Sequence, residues 1–87
     1  MPPKILVLSI SDAKRRAAIE SIIIEVVPAE ITISVAEGMP GAAWRVTIER
    51  NGSEPRTIPI QDLVGEDVPR AFRAKLKDVL SWYLADR

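Results

Sequence analysis

The chain has 87 residues with no cysteine and no histidine, and its twelve basic residues balance its twelve acidic ones. This length predicts a single compact domain, residues 1–87, built around one hydrophobic core. The missing residue types exclude disulfides and remove the side chains most often used in acid–base, thiol and zinc chemistry. Zero net charge gives no long-range attraction to nucleic acid or anionic membrane. We therefore expect a protein that is not an enzyme and binds no cofactor or metal.

The first third of the chain predicts a strand followed by a helix. Residues 4–10 (KILVLSI) are apolar at both alternating sets of positions, a pattern typical of a central strand. Ser11 or Asp12 can cap the helix that follows, because a side-chain oxygen there accepts a hydrogen bond from the first turn. The apolar spacing then predicts a helix that ends near Val27, before Pro28. Residues 22–27 would also suit a strand, but a parallel crossover needs roughly a dozen residues, which favours the helix.

The rest of the chain predicts three more strands and a second helix. Residues 31–36 and 44–49 alternate between apolar and polar side chains, as half-buried strands do. Asn51-Gly52 predicts a hairpin, since both residues tolerate positive φ. The returning strand is 56–60 (RTIPI), and we expect it at an edge because Pro59 cannot donate to a ladder. Asp67 and Pro69 then open a final helix after a loop or single turn over 61–67.

These elements give the order β-α-β-β-β-α and predict an α+β, two-layer sandwich with a mixed three- to four-stranded sheet and two helices. The first two strands are expected to be parallel, with a right-handed crossover. The pattern leaves open whether the helices cover one sheet face or both. If they cover one, the open face carries polar strand residues and one apolar side of the first strand. The polar residues are Thr32, Ser34, Arg45, Thr47 and Glu49, and the apolar side is either Ile5, Val7 and Ser9 or Leu6, Leu8 and Ile10.

Two polar clusters offer candidate sites. Residues 9–16 (SISDAKRR) join the first strand to the first helix, where α/β folds often bind anions. The segment lacks glycine and Asp12 would repel an anion, so a capped helix start is favoured; Ser9, Ser11 and Asp12 are the least implausible catalytic site. Before the second helix, Asp62, Glu66 and Asp67 resemble a divalent-cation cluster, but first-turn acids that complement the helix dipole explain them better.

The second helix carries a basic face and an aromatic residue. Arg70, Arg73 and Lys77 share one side of it, an arrangement that can follow nucleic-acid phosphates. Interspersed acids and the lack of an RNA-binding signature favour a solvated face instead, so nucleic-acid binding is the alternative function. Trp82 is predicted to lie off the centre of the buried stripe, either capping the core or anchoring a partner.

The function that these features favour is a small non-catalytic protein–protein interaction module, acting as an adaptor or in oligomerisation. Its partner would be another protein or a second copy of the chain, as in a homodimer. The residues expected at the interface are Leu6, Leu8, Ile10 and Trp82. No stretch is apolar enough to span a bilayer and no signal-peptide pattern stands out, so we expect a cytoplasmic protein with no membrane partner.

Overall fold

The computed structural model describes residues 3–39, 42–50, 52–61, 63 and 67–85. Its elements follow the predicted order. They are β1 (Lys4–Ser9), α1 (Ala13–Val26), β2 (Ile31–Ala36), β3 (Trp44–Arg50), β4 (Arg56–Ile60) and α2 (Val68–Ala85). The fold is α+β, with a mixed four-stranded sheet and two helices, as the sequence predicts.

The strands lie in the order β1-β2-β3-β4, so chain order and spatial order coincide. β1 and β2 are parallel, joined through α1, and the two following pairs are antiparallel. β4 is an edge strand, as Pro59 predicts. The expectation that β1 is a central strand was wrong: β1 forms the other edge. Its outer side has no strand neighbour among the described residues, because β2 takes β3 as its second partner.

The register of β1 contains an irregularity that explains its continuous apolar run. Ile5 pairs with Ile33 and Leu8 pairs with Val35, although Ile5 and Leu8 are three residues apart and their partners only two. The shift falls between Ile5 and Val7, which makes Leu6 the extra residue of a β-bulge. Neither alternating set proposed from the sequence faces the core as a whole, because the bulge changes the parity within the strand.

Both helices pack on the same face of the sheet. α1 contacts α2 and β1, and α2 contacts β4. The core lies between the two layers, and Trp44 and Phe72 meet there with ring centroids 6.0 Å apart. The core side chains of β2 and β3 alternate as predicted: they are Ile31, Ile33, Val35, Trp44, Val46 and Ile48. Ile60 of β4 is also buried in this core. The opposite face is open and carries the predicted polar residues Thr32, Ser34, Arg45, Thr47 and Glu49.

The ends of α1 fit the residues found there. Asp12 is the N-cap, and its side chain accepts a hydrogen bond from the Lys14 N–H at 3.0 Å. The Val27 N–H donates to the Ile23 carbonyl at 2.9 Å and closes the last turn. The helical reading of residues 22–26 is thereby confirmed, although these β-branched residues would suit a strand, because α1 forms the crossover between two parallel strands.

The two long turns each depend on a glycine. Gly52 has φ +82°, a conformation that residues with a side chain rarely adopt. The positive φ predicted at Gly52 is therefore confirmed, and Asn51 lies outside the described residues. At Gly38, a Cβ atom would lie 2.4 Å from the Ala43 carbonyl oxygen. Gly38 therefore lets the two chain segments approach closely, and any larger residue forces the backbone apart.

The second helix has one buried side, and five residues form it: Val68, Phe72, Leu76, Leu80 and Tyr83. Trp82 lies off this stripe with 54% of its surface exposed, as its position in the helix predicts. In the part of the chain that the structure describes, neither helix is long and apolar enough to cross a membrane.

We predict that Phe72→Ala lowers the free energy of unfolding by about 3–5 kcal/mol, because it removes a fully buried ring and leaves a cavity. Urea titration followed by far-UV circular dichroism measures this. Met39→Ala is the control, because Met39 is 79% exposed and its loss leaves no cavity. A loss below about 1 kcal/mol for Phe72→Ala would contradict the core packing described here.

Candidate interaction surface

Two exposed aliphatic residues lie next to each other in β1, at one edge of the sheet. Leu6 is 58% exposed and Val7 53%, and the two are consecutive in an edge strand. Exposed leucine or valine is unremarkable when scattered singly. Two together on an unpaired strand edge are unusual, because such an edge offers both backbone hydrogen bonds and apolar contact to another chain. We name this surface, Leu6 and Val7 with the outer backbone of β1, the β1 edge.

The opposite edge of the sheet is less suited to pairing. β4 is five residues long, and Pro59 within it has no N–H to donate. Proteins often protect edge strands with proline or charged residues. In β1 the one charged residue is Lys4 at its first position, and the strand contains no proline. Its protective features are therefore Lys4 and the bulge at Leu6.

The outer side of α1 continues this surface in the helical layer. Glu25 lies on the side of α1 facing α2, because its carboxylate accepts a hydrogen bond from Arg73 at 2.8 Å. At about 100° per residue, Ile24, Glu20 and Arg16 lie roughly 100° to 180° around the helix from Glu25. Because all three are exposed, they lie on the outer side of α1, away from α2, and β1 is the strand that α1 contacts. Ile24 is 49% exposed, and Glu20 and Arg16 are exposed.

The four residues predicted at the interface occupy different places. Leu6 is exposed on the β1 edge, Leu8 is half-buried against the core and Ile10 is buried within it. Trp82 is on α2, where the Arg56 guanidinium carbon lies 5.5 Å from the indole centroid. Arg56 belongs to β4, so Trp82 lies toward the edge of the sheet opposite Leu6. Ile24 was not singled out from the sequence, because nothing in the helical pattern showed which side of α1 would overhang β1.

The junction between β1 and α1 is occupied by a carboxylate of the chain itself. Glu37, just after β2, accepts hydrogen bonds through Oε1 from the Ser11 N–H at 3.2 Å and the Ser11 hydroxyl at 3.0 Å. Its Oε2 accepts a hydrogen bond from the Arg15 guanidinium at 3.0 Å, in an ion pair whose side chains are 16% and 33% exposed for Glu37 and Arg15. The sequence favoured a capped helix start over an anion site here, and the structure has Asp12 as the cap, with the Glu37 carboxylate bound to Ser11 and Arg15.

These contacts change the acidity of Glu37. The hydrogen bond from the Ser11 backbone N–H, followed by that from Arg15, lowers the pKa of the Glu37 carboxyl below its usual value of 4.5. The carboxylate therefore joins three segments at neutral pH: the end of β1, the first turn of α1 and the end of β2. Asp12 is engaged as the helix cap, so Ser11 and Asp12 both have structural partners. Sequence reasoning missed Glu37, which is 26 residues from Ser11 and belongs to no local motif.

The basic side of α2 is partly engaged within the molecule. Arg73 pairs with Glu25, and Lys77 lies with them around a shallow groove of about 370 Å³ between the two helices. Arg70 is exposed one turn earlier. The three basic residues do share a side of the helix, but Glu25 and Asp78 intersperse negative charge.

The acidic cluster before α2 lies mostly beyond what the structure describes. Asp62 and Glu66 are outside the described residues, and so is most of the loop over 61–67. The Asp67 carbonyl accepts a hydrogen bond from the Ala71 N–H at 2.9 Å as α2 begins. Among the described residues, no three acidic side chains lie close enough together to hold a metal ion.

Comparison with protein-family models, curated proteins and solved structures finds no match to this chain.

We predict that Glu37→Gln lowers the free energy of unfolding by about 1–2 kcal/mol at pH 7, because it removes the charge from a carboxylate that accepts three hydrogen bonds. The lowered pKa means that Glu37 stabilises the fold above pH 4.5 and that this contribution is lost as the pH falls through its folded-state pKa. The difference from wild type should therefore shrink as the pH falls below 4.5. Urea titrations at several pH values measure it. Glu54→Gln, at an exposed turn position, is the control, and a difference that stayed constant down to pH 2 would contradict the assignment.

Proposed function

We propose that this domain is a non-catalytic protein–protein interaction module that binds its partner by strand addition at the β1 edge. The observation that carries the proposal is the exposure of Leu6 and Val7 side by side on an edge strand. In strand addition, backbone hydrogen bonds supply affinity and the alternating side chains supply specificity. At the β1–α1 junction, the Ser11 hydroxyl and the Asp12 and Glu37 carboxylates form hydrogen bonds within the fold, which favours binding over catalysis.

The open face of the sheet is less suited to a partner than the β1 edge. Its central positions carry short polar side chains, and the Thr47 and Thr57 hydroxyls are hydrogen-bonded to each other at 3.0 Å across β3 and β4. Arg45 and Glu49 flank Thr47 on the same strand. Side chains of this kind are typical of a face that remains in water. A partner would gain little apolar contact there, whereas the β1 edge presents two aliphatic side chains.

A selection from a phage-displayed library of random linear peptides tests the proposal, with the immobilised domain as the target. The wild-type domain should enrich peptides with apolar residues at alternating positions. The variant Leu6→Lys with Val7→Lys should reduce this enrichment at least tenfold, because it places charge on the β1 edge without touching the core. The matched control is Met39→Lys with Trp82→Lys, which adds the same two charges at exposed apolar positions elsewhere.

Two outcomes would contradict strand addition at this edge. One is enrichment of the same peptides by the Leu6→Lys, Val7→Lys variant as by wild type. The other is a wild-type domain that is monomeric under the conditions of the selection and enriches no alternating apolar peptide. Circular dichroism of each variant establishes that it has folded, so that a loss of binding is read only from a folded protein.

A further inference from the structure

We infer that the partner of the β1 edge is a second copy of the chain, joined through antiparallel pairing of the two β1 strands and contact between the two α1 helices. The inference rests on the proposed function and adds to it the identity of the partner. Pairing of this kind extends the sheet from four strands to eight around a two-fold axis, with all four helices on one face. Self-pairing requires a surface that is complementary to itself after a rotation by 180°. Both the strand β1 and the outer side of α1 meet this requirement.

In the sheet layer, the face pattern of β1 is the same read in either direction. Ile5 and Leu8 lie on the helix-covered face, whereas Lys4 and Ser9 pair with open-face residues of β2. Residues opposite each other in an antiparallel pair lie on the same face of the sheet. An axis between Leu6 and Val7 places Ile5 opposite Leu8 of the second copy, and Lys4 opposite its Ser9. In each of these pairs, the two residues then lie on the same face of the extended sheet.

Moving this register by one residue destroys the match. Ile5 would then lie opposite Val7 or Ser9 of the second copy, each of which pairs with an open-face residue of β2. The matching register also sets Leu6 opposite Val7 of the second copy, and Val7 opposite its Leu6. The two exposed aliphatic side chains of each molecule are therefore covered by the same two side chains of the other.

In the helical layer, the charges on the outer side of α1 are complementary under the same rotation. α1 runs back along β1, so the two-fold axis that lies level with the middle of β1 also passes beside the middle of α1. The α1 helices of the two copies are therefore antiparallel. Arg16 then lies opposite Glu20 of the second copy, and Glu20 opposite its Arg16. Ile24, 49% exposed on this side, adds apolar surface. The zero net charge of the chain means that the two copies do not repel each other overall.

The area that a stable dimer buries also requires contact by both the β1 strands and the α1 helices. A stable dimer buries about 1,200–2,000 Å² of surface in total. A pair of six-residue strands is short for this, and the outer sides of the two helices supply additional contact. The Trp82 side chain takes no part, because it lies toward the opposite edge of the sheet with Arg56.

Light scattering after size exclusion, over a concentration series, is the first test. Wild type should approach twice the 9.6 kDa mass of one chain as concentration rises. Leu6→Lys with Val7→Lys should weaken dimerisation at least tenfold, and Met39→Lys with Trp82→Lys should leave it unchanged. Arg16→Glu should weaken it, and adding Glu20→Arg to that variant should restore it, because the reciprocal pairs are re-formed with reversed charge.

Disulfide cross-linking tests the register, and the absence of native cysteine makes it clean. Chains carrying Leu6→Cys are mixed with chains carrying Val7→Cys under mild oxidation. The two thiols lie opposite each other in the proposed pairing, within reach of a disulfide. The disulfide-linked mixed dimer should form at least tenfold faster than the mixed dimer formed by chains carrying Leu6→Cys and chains carrying Met39→Cys.

The outcomes separate this inference from the proposed function. A wild-type domain that remains monomeric, but enriches alternating peptides through Leu6 and Val7, would overturn the self-pairing and leave strand addition standing. A dimer that survives Leu6→Lys with Val7→Lys, or shows no faster cross-linking than the control, would overturn self-pairing at this edge. A wild-type domain that neither dimerises nor enriches alternating peptides would overturn both the self-pairing and the proposed strand addition.

Discussion

The packing of both helices onto one face of the sheet is the constraint on which the other features depend. A chain of 87 residues has apolar surface enough for one core, and here that core lies between the sheet and the α1–α2 layer. The side chains that β2 and β3 direct toward the helices are buried, and their alternate residues, mostly polar, are half-buried or exposed on the other face. Because β2 takes β3 as a neighbour, β1 is left at an edge. It is held to the core by Ile5 and Leu8, and its other apolar residues have no place inside.

The bulge at Leu6 reconciles the sequence of β1 with this position. In a regular strand, residues three apart point to opposite faces. One extra residue lets both Ile5 and Leu8 contact the core, and it leaves Leu6 and Val7 on the outside. A bulge commonly protects an edge by twisting it away from other strands. Here it also gives β1 a face pattern that reads alike in both directions, so the same local feature that disturbs pairing with β2 permits pairing with a second β1.

Much of the architecture follows from local patterns, and the parts that do not follow depend on long-range geometry. Strict alternation identifies β2 and β3 and their buried sides, and Pro59 indicates that β4 lies at an edge. The helical spacing of Phe72 and Leu76 identifies α2 and its buried side. The face pattern of β1 was not predictable, because a bulge changes side-chain parity without any marker residue such as glycine. Glu37 was missed for a related reason: its partners Ser11 and Arg15 are brought to it only by the parallel pairing of β1 and β2. The edge position of β1 depends on strand order, which periodicity does not encode.

The candidate surface illustrates how such long-range placement creates a site from residues that look ordinary in sequence. Leu6 and Val7 belong to an apolar run that reads as core, and Ile24 belongs to a helix rich in isoleucine. Only when β1 lies at the edge and α1 lies above it do these side chains share one side of the molecule. Arg16 and Glu20 are one helical turn apart and would, in isolation, be read as an i,i+4 pair within α1. On the outer side of α1 the same spacing also suits two antiparallel helices. A two-fold axis level with the midpoint of positions 16 and 20 places Arg16 of each copy opposite Glu20 of the other. The exposed aliphatic residues and the charges that complement themselves are together the basis for the self-pairing that we propose.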